Sequence, residues 1–170
     1  MDIRKAIPED ASRISELLQS LAKKFILPTC EPQVHAHLLA SMSEQAIQQN
    51  LQDGFLYLVI DGPDQQLIAT AGLRDRSHLY HLFVHENFGK QGIARQLWQA
   101  ILHETLTSEH NGEFTVNSAL HAEGLYRKLG FARTEGIRHR HGMVDIPMKL
   151  TIDLRQWRTE PSDTHQLTSI

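Results

Sequence analysis

The segment FVHENFGKQGIARQLW, residues 83–98, decides the fold because the periodicity of its apolar residues changes within it. It continues the run HLYHLFV of residues 78–84, which is apolar and aromatic and predicts a β-strand. After Gly92 the apolar residues recur at helical spacing instead, which predicts an amphipathic helix. A strand that passes through a glycine-containing turn into a helix is the first half of a strand–helix–strand unit.

The flanking segments predict an α/β domain with a mixed sheet. The apolar runs FLYLVI (55–60) and LIATAGL (67–73) are separated by turn residues and predict an antiparallel hairpin. The run EFTVN (113–117) predicts a strand parallel to residues 78–84, reached by a right-handed crossover. The remaining predicted elements are strands at 2–6, 132–137 and 143–152, helices within 14–25, 46–51 and 119–129, and an irregular or partly helical stretch at 26–42. Together they make about seven strands flanked by about four helices.

The composition is typical of one ordinary globular domain, with 170 residues, of which 41% are hydrophobic and 22% charged. A formal net charge of -3 does not favour a nucleic-acid partner. No apolar run approaches the roughly 20 residues that a membrane-spanning helix needs, so no membrane partner is expected. The single cysteine, Cys30, cannot form an internal disulfide, and the N-terminus lacks the apolar stretch of a secretory signal. The expected location is therefore cytoplasmic.

The loop before the helix predicts a site for a phosphate or pyrophosphate. Backbone N–H groups at a helix N-terminus are unpaired and lie at the positive end of the helix dipole. Gly89 and Gly92 would let an anion approach the backbone closely, and Lys90 and Arg95 add positive charge. The alternative is that the two glycines only make a sharp turn. The loop has neither the ending of a P-loop nor the pattern of a dinucleotide-binding loop.

Two motifs in this order resemble those of the GCN5-related N-acetyltransferases, the GNAT superfamily. The run Gly89–Ala94, preceded by residues 82–84, is similar to the acetyl-CoA loop of that family, Gln/Arg-x-x-Gly-x-Gly/Ala. The stretch from Asn117 to Phe131 is similar to the family pattern N-x(8)-Y-x-K-x-G-F. The resemblance implies a GNAT-like fold over residues 1–152, followed by a C-terminal tail at 153–170. One departure is Gly89, where the family usually has a Gln or Arg that helps to close the loop.

The resemblance also implies acetyl-CoA as co-substrate and a set of residues that bind it. In the family, a gap between the fourth and fifth strands admits the pantetheine arm, and the N–H of Val84 is the expected donor to the thioester carbonyl. Asn117 either contacts the pantetheine or caps the following helix, and the sequence does not distinguish the two. The predicted acetyl-CoA-binding residues are Leu82, Phe83, Val84, Gly89, Lys90, Gln91, Gly92, Ile93, Ala94, Arg95, Asn117 and Tyr126.

Two residues are candidates for proton transfer. Tyr126 matches the tyrosine that in many family members protonates the departing CoA thiolate, although its place on an apolar helix stripe is also typical of a core residue. His78 matches a position where some members carry a base, and the alternative is a strand-end histidine near solvent. His81 is more typical of a buried core histidine. Strict alternation along residues 78–84 predicts that His78 and Leu82 share one face of the sheet and that Leu79 and His81 share the other.

The 11 histidines raise the question of a metal site. Of the pairs at 35 and 37, 81 and 85, and 139 and 141, only the second has the i, i+4 spacing that brings two ligands together on a helix, and it lies in a predicted strand and loop. No cysteine pair and no HExxH arrangement supports a zinc site. No metal is therefore expected.

The expected function is transfer of an acetyl group from acetyl-CoA to a primary amine of a small molecule or peptide, by direct attack in a ternary complex. The alternatives are a non-catalytic acyl-CoA-binding or sensor module and a transferase for another acyl donor. The acceptor is not identified by the sequence, and its determinants are expected in residues 25–51 and in the turn at 138–142. The resemblance allows a homodimer, because pairing through the C-terminal strands is common in the family.

Overall fold

The computed structural model describes residues 1–159 as a mixed eight-stranded sheet with helices on both faces. The strands are β1 (Ile3–Lys5), β2 (Leu56–Asp61), β3 (Leu67–Arg74), β4 (His78–Val84), β5 (Glu113–Ser118), β6 (Ala132–Arg133), β7 (Arg138–Arg140) and β8 (Met143–Thr151). The helices are α1 (Ala11–Phe25), α2 (His35–Ala40), α3 (Glu44–Gln52), α4 (Ile93–Thr105), α5 (Glu123–Lys128) and α6 (Leu154–Thr159).

The strand order is β1–β2–β3–β4–β5–β8–β6, with β7 pairing to β8 as well. All pairs are antiparallel except β4 and β5, which run parallel and are joined through α4. This confirms the predicted α/β class and its mixed sheet. The structure has one strand more than predicted, because Arg138–Arg140 pair with β8 inside a segment that was predicted to be only a polar turn.

The C-terminal boundary of the domain stays a prediction. Helix α6 lies within the segment predicted as a tail, and the part of that tail at 160–170 lies outside the described residues. None of the helices formed by residues 1–159 has the length and hydrophobicity that crossing a bilayer requires.

The sheet separates two hydrophobic cores. Along β2, Leu58 and Ile60 face the first core and Tyr57 and Val59 face the second, as the alternation of a strand requires. The apolar run of this strand is thus explained by burial on both faces. The first core also contains α4, whose buried residues include Leu97, Trp98 and Ile101, and the second contains α1, whose buried residues include Ile14, Leu17 and Leu18.

The strands β4 and β5 separate after a very short ladder. Only two residue pairs join them, His78 with Thr115 and Leu79 with Val116. Beyond these pairs, β4 continues to Val84 on one side while β5 continues to Ser118 on the other. A gap therefore opens in the middle of the sheet.

A bulge in β4 interrupts the alternation of its side chains. Gly72 of β3 pairs with His81, but its neighbour Leu73 pairs with Leu79, so Tyr80 is an extra residue in the strand. As a result Leu79 packs in the same core as Leu82. The prediction that these two leucines lie on opposite faces is therefore wrong, because a bulge shifts every later side chain by one position.

An ion-pair network joins β1, β2 and the start of α1. The Asp10 carboxylate is buried, at 1% exposure, and accepts from Arg4 at 2.7 and 2.9 Å, from the Ile7 N–H at 2.9 Å and from Arg13. Both arginines also donate to Asp61 at the end of β2. The Arg4 hydrogen bonds hold the pKa of the Asp10 carboxyl far below its usual range.

Asp10→Asn is expected to lower the free energy of unfolding at pH 7 by about 2–3 kcal/mol, somewhat less than for a fully buried pair, because the two arginines are partly exposed. A carboxyl whose pKa is depressed in the folded state stabilises the fold above its unfolded pKa of about 4, and this contribution is lost as the pH falls below that value. The free energy of unfolding, measured with guanidinium chloride, should therefore differ less and less between wild type and variant as the pH falls from 4 to 2.5.

The exposed neighbour Glu9 provides the control, and Glu9→Gln should change stability by less than about 0.5 kcal/mol. An Asp10→Asn penalty of the same size at pH 7 and pH 2.5 would contradict the role of the ionised carboxylate.

Candidate active site

The turn between β4 and α4 presents a run of unpaired backbone N–H groups. Residues 86–88 form one 3-10 turn, and positive φ angles at Lys90 (62°) and Gly92 (76°) then redirect the chain into the helix. The first hydrogen bond of α4 runs from the Gln96 N–H to the Gly92 carbonyl at 3.0 Å. Within residues 1–159, the N–H groups of residues 90–95 have no acceptor. Unpaired N–H groups at the positive end of a 13-residue helix are an arrangement that can bind an anion.

The side chains of the loop leave this site open. A Cβ added at Gly92 would meet no atom within 4 Å, so the space above the turn is free. Arg95 donates to the Lys128 carbonyl at 3.2 Å and thereby brings a positive charge to the C-terminal end of α5. Gly89 has a φ of -61°, which any residue can adopt. The backbone at this position would therefore accept the Gln or Arg that the family usually has, and it does not explain why this chain has glycine.

The backbone of β4 turns polar groups toward the gap. The His85 N–H donates to the Ile68 carbonyl of β3 at 2.7 Å. Because hydrogen bonding alternates along an antiparallel ladder, the N–H groups of Leu82 and Val84 are turned away from β3 and toward the gap. The side chains of these two residues pack on the first core, whereas that of Phe83 packs on the second.

Asn117 lies on the other edge of the gap. Its side chain is exposed and has no hydrogen bond within the described part of the chain. A short 3-10 turn at residues 120–122 precedes α5, with Ala119 at its N-cap. Asn117 is therefore not a helix cap, and its contact with the cofactor stays a prediction.

Tyr126 is a core residue with an unengaged hydroxyl. Its ring is 7% exposed and packs edge-on against Phe131, with the ring centroids 5.8 Å apart. Within residues 1–159 no hydrogen bond holds the hydroxyl, and burial raises the pKa of this phenol. The group is protonated at neutral pH, as a proton donor must be.

His78 stands where β4 and β5 still pair. Its Nδ1 lies 2.8 Å from the Thr115 Oγ1, and the ring is half-buried rather than at an open strand end. Burial lowers the pKa of His78, and the positive charge of Arg74 lowers it further. The imidazole is consequently neutral at pH 7, with Nε2 left for another partner.

His81 is a satisfied core histidine, which confirms the prediction. It is 4% exposed, and its Nδ1 lies 2.8 Å from the Tyr57 hydroxyl, which also accepts from Asn50 at 3.2 Å. Tyr57 reaches His81 by crossing Gly72, where an added Cβ would lie 2.5 Å from the tyrosine ring. Burial lowers the pKa of His81 to about 3, which makes it a poor proton acceptor at neutral pH.

The segments predicted to border the acceptor come together in space. The Glu31 N–H donates to the Gly142 carbonyl at 2.9 Å, which ties the chain after α1 to the turn between β7 and β8. At the end of α1, Phe25 stacks on His121, with centroids 5.5 Å apart.

Within the described range 1–159, no three or more His, Cys, Asp or Glu side chains are grouped as metal ligands would be.

Arg74 also lies in this region, although the sequence did not predict it as a site residue. Arg74 pairs with His78 across the sheet. Its guanidinium lies 5.5 Å from the centre of the Tyr80 ring. A single arginine at the end of a strand has no pattern that would have marked it. Its placement depends on the pairing of β3 with β4.

Comparison with solved structures finds the same fold in many acetyltransferases. A GCN5-related N-acetyltransferase from Rhodopseudomonas palustris superposes with a TM-score of 0.73 at 16% identity, covering 89% of this chain and 95% of that one. The PaiA N-acetyltransferase of Thermoplasma acidophilum, in complex with coenzyme A, has a TM-score of 0.64 at 16% identity, covering 89% and 98%. A GNAT-family acetyltransferase from Staphylococcus aureus Mu50 has a TM-score of 0.67 at 14% identity, covering 89% and 99%.

The sequence itself is matched at the level of a family. No curated protein matches the chain. Residues 26–152 match the acetyltransferase (GNAT) domain, a match that includes β4, the loop, α4 and both motifs. The chain therefore belongs to the GNAT family of acetyltransferases.

Proposed function

We propose that this protein is an N-acetyltransferase that moves an acetyl group from acetyl-CoA to a primary amine of a small molecule or peptide. The observation that carries the proposal is the run of unpaired N–H groups at residues 90–95, beside the open gap between β4 and β5. The first feature suits a pyrophosphate, and the second suits an extended arm that pairs with β4 as an added strand does. The coenzyme A complex of the Thermoplasma relative supports this use of the fold.

The residues that would hold acetyl-CoA follow from these two features. The loop Gly89–Arg95 would bind the pyrophosphate through its N–H groups, with Lys90 and Arg95 adding positive charge. Residues 82–84 would pair with the pantetheine arm, and Asn117 would face the arm from β5. Val84 lies six residues from His78, about 20 Å along β4, so its N–H is too far from that side chain to hold the thioester carbonyl beside it. The Leu82 N–H also faces the gap and is nearer to His78, so it is the better placed donor to the thioester carbonyl. Bound there, acetyl-CoA supplies an activated acetyl group.

The proton transfers are assigned to His78 and Tyr126. When Nδ1–H of His78 donates to Thr115, Nε2 carries the lone pair that takes the amine proton, directly or through water. The bond between the amine nitrogen and the acetyl carbon forms as the carbon–sulfur bond breaks, and the Tyr126 hydroxyl gives its proton to the sulfur. A direct attack in a ternary complex is favoured because the only thiol, Cys30, is buried and lies outside these elements.

Two measurements test the proposal. Titration calorimetry with acetyl-CoA, CoA and ATP as a nucleotide control should give saturable binding of the first two ligands. Release of free thiol from acetyl-CoA should then depend on an amine from a panel of amines, polyamines, amino acids and peptides. Binding without thiol release for any amine would favour the alternative, a non-catalytic acyl-CoA module. Absence of acetyl-CoA binding would overturn both.

His78 predicts a specific pH dependence. Because the pKa of His78 lies below 6.5, kcat/KM should be level from about pH 6.5 to 8 and should fall as the pH drops through that lower pKa. His78→Gln should lower kcat/KM about 100-fold and remove the falling limb. The exposed His103 is the control, and His103→Gln should keep the wild-type profile. A level profile between pH 5 and 8 in wild type would remove His78 as the base.

A further inference from the structure

Arg74 is the unusual charged residue beside the proposed site. Its Nε is buried and has no hydrogen-bond partner within residues 1–159. The nearest carboxylate oxygen, on Asp75, is 3.6 Å from Nε and belongs to a side chain that is 82% exposed. Buried polar groups without a partner are rare in folded proteins because they are costly, which distinguishes Arg74 from an arginine placed to stabilise the fold.

No other arginine in the described part of the chain has a buried nitrogen without a partner. Most donate to a carboxylate or to a backbone carbonyl within 3.2 Å, as do Arg4, Arg13, Arg76, Arg95, Arg127, Arg133 and Arg138. Arg74 is instead held by packing, because its guanidinium lies over the Tyr80 ring and Tyr80 is itself packed edge-on against Phe55. The side chain as a whole is 43% exposed, and Nε is the one of its nitrogens that is buried without a partner, so a bound molecule would meet the terminal NH2 groups and not Nε.

Arg74 also stands next to the proposed base. Arg74, His78 and Thr115 are successive cross-strand partners on β3, β4 and β5, and they lie on the sheet face opposite α4. Directly opposed side chains have Cβ atoms about 5 Å apart. A molecule whose amine meets His78 and whose anionic group meets Arg74 must therefore carry the two groups a few bonds apart.

The charge of the region indicates the kind of anion. Two other cations of the region already have partners. Lys149, which pairs with Thr115 across the sheet, donates to Glu113 at 2.6 Å, and Arg76 donates to the Thr105 carbonyl at 2.8 Å. The Arg74 side chain makes no hydrogen bond within residues 1–159, and its contact with the exposed Asp75 carboxylate is 3.6 Å long, so its charge is open to one further negative charge. A planar guanidinium matches a carboxylate. We propose that Arg74 binds the carboxylate of the acceptor, so that the acceptor is an amino acid or another amine with a carboxylate two or three bonds from the nitrogen. This inference rests on the proposed N-acetyltransferase function.

Matched acceptors test the inference by thiol release. Each amino acid of a panel is compared with its own carboxamide, and β-alanine is compared with 6-aminohexanoate and phosphoethanolamine. For at least one amino acid, kcat/KM should exceed that of its amide by about 10- to 100-fold, the effect of charge-assisted hydrogen bonds to one guanidinium. β-Alanine should be preferred over both the longer acid and the phosphate.

Substitution of Arg74 provides the second arm. Arg74→Gln should lower kcat/KM for the preferred acid about 10- to 100-fold, leave that for its amide within about threefold, and leave acetyl-CoA affinity unchanged. Arg74→Lys should keep part of the preference and serves as the folded reference if the glutamine variant is unstable. Lys23→Gln, which removes the same charge from an exposed position on α1, should change none of these values.

The failures of the two proposals are distinguishable. Equal use of acids and amides, a preference for the phosphate, or a preference that survives Arg74→Gln would overturn the role of Arg74 while acetyl transfer to amines stands. Absence of thiol release with every amine would overturn the proposed function, and the inference with it.

Discussion

Tyr126→Phe is expected to lower kcat about 100-fold while acetyl-CoA affinity stays within about twofold, because the loss of a general acid costs 10²–10⁴ in rate. The Tyr126 hydroxyl has no hydrogen bond within residues 1–159, and its ring packs on Phe131 through carbon atoms. Removal of one oxygen should therefore leave the core intact. Stopped assays of thiol release at saturating acetyl-CoA and acceptor measure the change in kcat.

Thermal unfolding separates this effect from a loss of packing. The phenylalanine variant should unfold within about 2 °C of wild type, since no buried hydrogen bond is lost. Tyr126→Ala, by contrast, should destabilise the fold by about 3–5 kcal/mol, because it leaves a cavity in the first core. A phenylalanine variant with wild-type kcat would reject the proton-donor role and leave Tyr126 as a core residue.

Gly92→Val is expected to weaken acetyl-CoA binding about 10- to 100-fold, because its side chain would stand above the unpaired N–H groups of the loop and displace charge-assisted hydrogen bonds. The positive φ of Gly92 adds a second cost, about 1–2 kcal/mol of stability for a side chain in the left-handed region. Calorimetric titration with acetyl-CoA measures the first effect, and chemical unfolding measures the second.

Gly54 is a matched control for the backbone strain. It has a φ of 84° and, like Gly92, no atom within 4 Å of an added Cβ, but it lies in the turn between α3 and β2. Gly54→Val should lose similar stability and keep full acetyl-CoA affinity. If both variants bind acetyl-CoA as wild type does, the loop is only a sharp turn.

Local patterns were sufficient to predict most of the elements. The change from a β run to helical spacing after Gly92 located β4 and α4, and the apolar runs located β2 and β3, because residues buried on both sheet faces leave few polar positions. The bulge at Tyr80 could not be predicted, since the pairing of β3 with β4 creates it and no residue type requires it. The strand β7 was not predicted either, because its residues are all polar and have no apolar alternation. It is held to β8 by backbone pairing and by the Arg138–Asp145 ion pair.

The candidate site was predicted in part. The loop at 89–95 could be recognised because its motif is contiguous and its N–H groups act without side chains. Arg74 could not, since it comes close to His78 only through strand pairing. Likewise, the sequence predicted a buried His81, but its partner Tyr57 comes from a strand that is not adjacent to β4.

The crossing of Tyr57 over Gly72 restricts how this sequence can change over evolutionary time. Any side chain at position 72 would occupy the space of the tyrosine ring, and loss of the ring would leave His81 buried without its partner. A substitution at one of these three positions is therefore harmful until another has changed. Positions 57, 72 and 81, on three successive strands, should therefore covary among descendants of this chain.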